Sequence, residues 1–274
     1  MSYIMLLLIL LLGAFFRFYD LQTLPPGLYP DEAMNGSNAL QAIHTGEFKL
    51  FYPENNGREG LFINIQALSI WLLGTTARAL RIVSAIFGTL TILGVYFFTK
   101  ELFSVLWSQS QNQKSKIQND NLKLKKAPIR WATKILHFDF CILHSSTEDG
   151  AIPRNTTIAL LASFFIATSY WHINFSRIGF RAIMLPFLLS FGLYWLLKGL
   201  RTENIWSLTL AGIFIGAGFH SYIAFRFVPF IIAVPMAWYL RQYQIQNAKL
   251  KNQNDPEQIA SQFNGASNSK FKIT

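Results

Sequence analysis

The stretch "IVSAIFGTLTILGVYFF", Ile82–Phe98, decides the fold class, because it contains no Asp, Glu, Lys or Arg. It is one of six apolar blocks of similar length. A helix that spans a bilayer needs about 20 apolar residues, and flanking Tyr, Trp, Lys and Arg extend a shorter block by lying in the interface. The sequence therefore predicts an all-α, polytopic transmembrane helical bundle of about six spans. The blocks are Tyr3–Phe16, Ile82–Phe98, Ile158–Ile173, Ala182–Leu197, Ile205–Phe219 and Phe227–Leu240.

The composition favours the same class of protein. Hydrophobic residues make up 51% of the chain, and only 14% of residues are charged, against roughly 25% in soluble domains. A soluble protein with buried core helices is the alternative, and six apolar blocks with so few charges disfavour it. The net charge of +10 is also found in nucleic-acid-binding proteins. Here the basic residues lie between apolar blocks, so we predict no nucleic-acid partner.

The distribution of basic residues predicts the orientation. Of the 24 Lys and Arg residues, sixteen lie in three segments, 99–157, 198–204 and 241–274. The positive-inside rule places these segments and the N-terminus in the cytoplasm. The chain is then a multi-pass protein of the cell membrane. The first block lacks the basic region and the small-residue cleavage site of a signal peptide, so we interpret it as a retained span.

The same reasoning divides the chain into four parts. Residues 1–103 carry two spans and an outer loop at 17–81. Residues 104–155 are rich in Gln, Asn, Lys and Ser, which is typical of a solvated cytoplasmic insert. Residues 156–240 carry four further spans, and 241–274 form a polar cytoplasmic tail.

The outer loop contains two adjacent carboxylates, Asp31 and Glu32, in "LPPGLYPDEAMNG" (24–36). The residues that follow predict a short helix that ends before Gly46, with Asp31 as its N-cap and Glu32 near its positive end. For an isolated Asp-Glu pair, this structural interpretation is the more common one. Further on, Leu61–Leu73 is apolar but too short to span, so it is expected to lie in the interface or to begin a re-entrant segment.

The outer ends of the later spans are unusually polar. Arg177 and Arg181 are four residues apart and share a face if their segment is helical. A single arginine there is typical of a side chain that reaches lipid headgroups. Several arginines on the same side as two carboxylates instead indicate an outward-facing cavity, because arginines bind phosphate oxygens and a carboxylate accepts a proton. The polar side chains are His172, Arg177, Arg181, His220, Tyr222 and Arg226.

Several motifs carry a resemblance to a known family. The chain resembles the N-terminal part of bacterial glycosyltransferase family 39-like proteins, relatives of protein O-mannosyltransferases and of the aminoarabinose transferase of lipid A within the GT-C superfamily. The resemblance covers most of residues 1–103 and 156–240. Members of that family often have proline where this chain has Gly60. They usually have more spans, so this chain is expected to be a fragment or a split gene product. The motifs are "GLYPDEA" (27–33), "GRE.LF" (57–62), "ALR..SA" (79–85), "FSRIGFRA" (175–182) and "Y.A.R..P" (222–229).

The resemblance implies an enzyme that moves a sugar from a polyprenyl-phosphate donor to a lipid, glycan or protein acceptor on the outer face of the membrane. It implies Asp31 as the catalytic base, with Glu32 beside it, and inversion at the anomeric carbon. Further candidates follow for the two binding roles. Arg58, Arg177, Arg181 and Arg226 would bind the donor phosphate, and Glu59, His172, His220 and Tyr222 would contact substrate.

Two other functions stay open at the level of sequence. One is a truncated, non-catalytic relative that binds lipid phosphate or a partner. The other, which has less support, is a small transporter, because transporters place charges in mid-span, whereas these spans are nearly free of charge. No cofactor is predicted. Some GT-C enzymes use a divalent metal at outer acidic residues, but no cluster with secure ligand spacing is present in the sequence.

Overall fold

The computed structural model describes residues 2–54, 57–119 and 153–233, together with positions 237 and 241. The chain divides into two compact units, Met1–Phe225 and Arg226–Thr274. The first unit is mostly helical, with eight α-helices among its described residues. The second unit begins within a short 3₁₀-helix, Ile223–Phe227, and the described residues continue as helix to Ala233.

The outer loop predicted at 17–81 contains both helices and a small sheet. Its strands β1 and β2 pair antiparallel, with Phe51 opposite Glu59 and Tyr52 opposite Arg58. In chain order the first half comprises α1 (Ser2–Phe18), α2 (Pro30–Thr45), β1 (Phe51–Tyr52), β2 (Arg58–Glu59), α3 (Gly60–Leu73) and α4 (Ala77–Asn119). The second half comprises α5 (Arg154–Thr168), α6 (Tyr170–Arg177), a 3₁₀-turn (Arg181–Ile183), α7 (Met184–Thr202) and α8 (Ile205–Gly218).

Two helical segments are long and apolar enough to cross a membrane, Ala77–Trp107 and Arg181–Thr202. A third is added if α5 and α6, which meet at a bend of 55°, form one broken span. The bend divides the predicted block Ile158–Ile173 at Ser169, whose backbone is extended. The remaining apolar helices are shorter than a bilayer requires. The mostly helical fold with two or three candidate membrane-spanning helices is therefore confirmed, and the number of six spans stays a prediction.

Helix α4 lies at the centre of the first unit and contacts α1, α3, α5, α6 and α7. Helices in lipid gain no hydrophobic energy from meeting each other, so they depend on close packing through small residues. A Cβ added at Gly88 would collide with Ser176 Oγ on α6. A Cβ added at Gly94 would lie 2.9 Å from the ring of Phe191 on α7. Side chains at these two positions would separate the helices.

The charged side chains collect at the two ends of the bundle. At one end Lys100 lies over the ring of Tyr3, Arg154 lies over Trp107, and Arg201 pairs with Glu101. The outer loop and Arg181 lie at the other end. The first residues of α1 and α5 both lie at the Lys100 end. The basic residues that the sequence assigns to the cytoplasm therefore lie together at this end of the bundle.

The outer loop has a core of its own, formed by side chains of α2, β1, α3 and the start of α4. Gly60 fixes the junction between β2 and α3. Its N–H donates to the carbonyl of Leu50 at 2.7 Å, and a Cβ there would collide with the backbone of Lys49. Proline has no N–H to donate, so this local structure requires glycine at a position where the family that the sequence resembles often has proline.

The helix of the second predicted span is longer than its apolar block. Helix α4 continues to Asn119, so the first sixteen residues of the predicted polar insert, 104–119, extend the second span as helix. Predictions for 120–152, for 234–236 and 238–240 of the last block, and for the tail beyond 241 lie outside the described residues.

Candidate functional site

The two adjacent carboxylates lie in the first turn of α2. Tyr29, with an extended backbone, is the N-cap, and Pro30 occupies the first helical position, where its missing N–H costs nothing. The prediction that Asp31 caps this helix is wrong, because the cap lies two residues earlier, at Tyr29, and Asp31 is already inside the first turn. The predicted end is confirmed, since Gly46 adopts the left-handed conformation and its N–H donates to the carbonyl of Ala42.

Glu32 forms a buried ion pair with Arg81 of α4. Arg81 Nε donates to Glu32 Oε1 at 2.8 Å, and the two side chains are 1% and 0% exposed. The other oxygen, Oε2, accepts the N–H of Tyr29 at 3.2 Å, as the third residue of a capping box does. Arg81 also donates to the carbonyls of Leu21 and Gly27. This carboxylate therefore holds the proline-rich loop on α4.

Arg58 of β2 is buried, and the amides of α2 hold its guanidinium. Its Nη1 donates to Asn35 Oδ1 at 2.7 Å, and its Nη2 donates to Asn38 Oδ1. Asn35 and Asn38 are three apart in a helix, so they share the face that meets the guanidinium. Its Nε donates to the carbonyl of Glu54 at 3.4 Å. The position of Arg58 is therefore fixed by neutral oxygens.

The positive charge of Arg181 acts on Arg58. Burial lowers the pKa of Arg58 below its ordinary value, as does the positive charge of Arg181, while Glu54 and Asp31 raise it. Asp31 is half-buried at the start of α2 and within electrostatic range of this guanidinium. The charges of Arg181, in the turn before α7, and of Asp31, in α2, therefore both act on the guanidinium of Arg58 in β2.

The guanidinium of Arg181 is only partly engaged. Its Nε lies 4.0 Å from Glu59 Oε2, and its Cζ lies 5.5 Å from the centre of the Tyr222 ring. Its Nη1 is buried and has no hydrogen-bond partner among the described residues. A buried donor without a partner costs free energy, and an anion placed here would satisfy it. We call Asp31, Asn35, Asn38, Arg58, Glu59 and Arg181 the outer cluster.

Arg177 does not join the outer cluster through its guanidinium. It donates to the carbonyls of Phe16, Tyr19 and Leu24 at 2.7, 2.6 and 3.2 Å. The expectation that Arg177 and Arg181 share a helix face is wrong, because α6 ends at Arg177 and a separate 3₁₀-turn begins at Arg181. Arg177 therefore ties the end of α1 to α6.

His172 also lies away from Arg181, against α1. Its Nδ1 is 2.9 Å from Nη2 of the fully buried Arg17. Arg17 donates as well to the carbonyls of Ile166 and Ala167, in the last turn of α5. These carbonyls have lost their helical partners at the bend between α5 and α6, so the contacts stabilise the bend.

Two of the remaining predicted residues are exposed. His220 is exposed in the turn after α8, and Arg226 is exposed in the second unit. Within the ranges 2–54, 57–119 and 153–233, no three His, Cys, Asp or Glu side chains are grouped in a way that would hold a metal ion.

Sequence reasoning missed four residues that build this end of the molecule: Arg17, Asn35, Asn38 and Arg81. The two asparagines are typical of an exposed helix face, yet they are 1% and 4% exposed. Arg81 belongs to the motif "ALR..SA" (79–85), but no role was assigned to it. One usable signal was the rarity of charge in this chain, because a charged residue inside an apolar block is costly unless it is paired.

The fold and the site define a helical protein that has two or three helices long and apolar enough to cross a membrane. A partly buried group of arginines and carboxylates lies at one end of it. No family model, no curated protein and no solved structure matches the chain.

Proposed function

We propose that the chain is an integral-membrane glycosyltransferase of the GT-C superfamily, similar to family 39, which moves a sugar from a polyprenyl-phosphate donor to an acceptor on the outer face. The observation that carries this proposal is the buried Nη1 of Arg181, which has no hydrogen-bond partner among the described residues. The charges of Arg181 and Asp31 both act on the guanidinium of Arg58. The two guanidinium groups suit phosphate oxygens, and a carboxylate beside them suits proton transfer.

In the proposed reaction the acceptor hydroxyl oxygen attacks the anomeric carbon from the face opposite the phosphate. The new carbon–oxygen bond forms as the bond to the phosphate oxygen breaks, and that oxygen leaves with the electron pair. Asp31 accepts the hydroxyl proton, and Arg58 and Arg181 stabilise the charge on the departing phosphate. A single displacement inverts the anomeric configuration. Glu32 is not the base in this proposal, because both of its oxygens already accept hydrogen bonds.

The proposal requires the outer cluster to face the side of the membrane opposite the basic cytoplasmic segments. In the proposed topology, the chain crosses the membrane about six times and its N-terminus is cytoplasmic. Cysteines at the exposed positions Glu47 and Glu203 test this orientation after Cys141 is replaced by serine. We expect an impermeant thiol reagent to label position 47 and not position 203 in intact cells. The reverse pattern would refute the orientation and the outer site together.

The function itself is tested by sugar transfer from a polyprenyl-phosphate donor by the purified chain in lipid vesicles. We expect Arg181→Ala to raise the KM for the donor by roughly tenfold to a hundredfold, the value of a hydrogen bond to a charged group. Lysine should substitute poorly, because it lacks the planar fork.

The matched control is Lys198→Ala, which removes a positive charge at the opposite end of the bundle. Lys198 donates to the hydroxyl of Tyr194 at 3.3 Å and lies over the ring of Trp195. We expect its donor KM to match the wild type. An unchanged KM in Arg181→Ala would show that Arg181 is not a donor contact, and donor binding without any transfer would favour the non-catalytic relative.

A further inference from the structure

Asn35 links two segments that are far apart in the sequence. Its Oδ1 accepts from Arg58 Nη1 at 2.7 Å, and its Nδ2 donates to the backbone carbonyl of Gly179 at 3.1 Å. The side chain is 1% exposed. One amide therefore spans β2 and the connection between α6 and the turn that carries Arg181.

Asparagine is well suited to this position because its amide has both a donor side and an acceptor side. A carboxylate would keep the contact with Arg58 but would meet the carbonyl of Gly179 as a second acceptor. The space beside Gly179 is filled by the side chains of Gln66 and Glu32, since an added Cβ would lie 2.8 and 2.9 Å from them. Residues 178–180 therefore pass between α2 and α3 with little room. The Nδ2 of Asn35 donates a side-chain hydrogen bond to this segment.

We propose that Asn35 is a positioning residue that sets the separation of Arg58 and Arg181 by binding one directly and the backbone before the other. This inference rests on the proposed function only for its effect on donor binding. Its structural consequence, a fixed 178–183 segment, is independent of any reaction. The residue touches neither substrate nor reacting atoms and acts through the two arginines.

Asn38 offers a matched control. It lies one turn further along α2, is 4% exposed, and accepts from the same guanidinium. Its Nδ2 donates to Glu54 Oε2 at 3.4 Å rather than to Gly179. Asn35→Asp and Asn38→Asp therefore place the same extra charge against Arg58, and only the first removes the link to the 178–183 segment.

The test is amide hydrogen exchange of the full chain in lipid nanodiscs. We expect Asn35→Asp to speed exchange within 178–183 by about tenfold, the effect of losing a buried hydrogen bond, and Asn38→Asp to leave this segment near the wild-type rate. Asn35→Ala should give the same faster exchange without an added charge, and it serves where the Asp variant fails to fold. Wild-type exchange in both Asn35 variants, or equal acceleration in Asn38→Asp, would overturn the proposal.

The donor KM of Asn35→Ala then tests whether the hydrogen bonds of Asn35 affect donor binding. We expect it to rise about tenfold while exchange outside 178–183 and the neighbouring turns stays unchanged. Faster exchange in a chain that shows no sugar transfer at all would refute the proposed function and leave the positioning role intact. Faster exchange with an unchanged donor KM would overturn the role of Asn35 in spacing the arginines.

Discussion

Glu32→Ala is expected to lower the free energy of unfolding by about 3–5 kcal/mol, the cost of removing one partner from a buried ion pair. The guanidinium of Arg81 would stay in a site where its side chain is 1% exposed, with only the carbonyls of Leu21 and Gly27 as partners. The capping contact to the N–H of Tyr29 would be lost as well. Denaturant titration of the purified chain in mild detergent measures this change.

The control for this prediction is Glu101→Ala, which breaks the ion pair with Arg201 at the opposite end of the bundle. That pair is short, 2.5 Å between Arg201 Nε and Glu101 Oε1, but the Arg201 side chain is 47% exposed. Water can solvate the arginine that remains, so the expected loss is about 0–1 kcal/mol. Equal losses in Glu32→Ala and Glu101→Ala would show that the buried pair contributes no more than a surface pair.

The helices were predictable from the sequence because the property that defines them is local. An apolar run of a dozen or more residues in lipid must satisfy its backbone within the segment, and this requires a helix. The break at Ser169 was not predictable, since neither glycine nor proline marks it. Arg17, 149 and 150 residues away in sequence, holds the freed carbonyls of Ile166 and Ala167, and no local pattern encodes such a contact.

The residue types of the candidate site were predictable from the sequence, but the partner that each of them contacts was not. Two adjacent carboxylates were visible in the sequence, yet adjacent residues on a helix point about 100° apart. One side chain consequently meets Arg81 while the other lies near Arg58. Arg177 was expected in the site because it is close to Arg181 in sequence, but the extended residue Ile178 and the turn that follows send the two guanidinium groups to different partners.

In the proposed function Asp31 is the base, and this gives the second large effect. Asp31→Asn keeps the shape of the side chain and removes its ability to accept a proton. We expect the rate of sugar transfer in a single turnover to fall by at least ~100-fold, the low end of the contribution of a positioned base. Stability should change by less than about 1 kcal/mol, because Tyr29 caps α2 and Asp31 contributes through the helix dipole.

Glu54→Gln separates proton transfer from electrostatic tuning. Like Asp31, Glu54 raises the pKa of Arg58, so its replacement removes the same negative charge near the same guanidinium. Glu54 is exposed and lies before β2, away from the first turn of α2. If Asp31 is the base, Glu54→Gln should keep the single-turnover rate within a few-fold of the wild type, since it leaves the proton acceptor in place. Equal losses in both variants would show that Asp31 acts only through its charge on Arg58. A wild-type rate in Asp31→Asn would leave Glu59 as the next carboxylate to test, because it contacts Arg181.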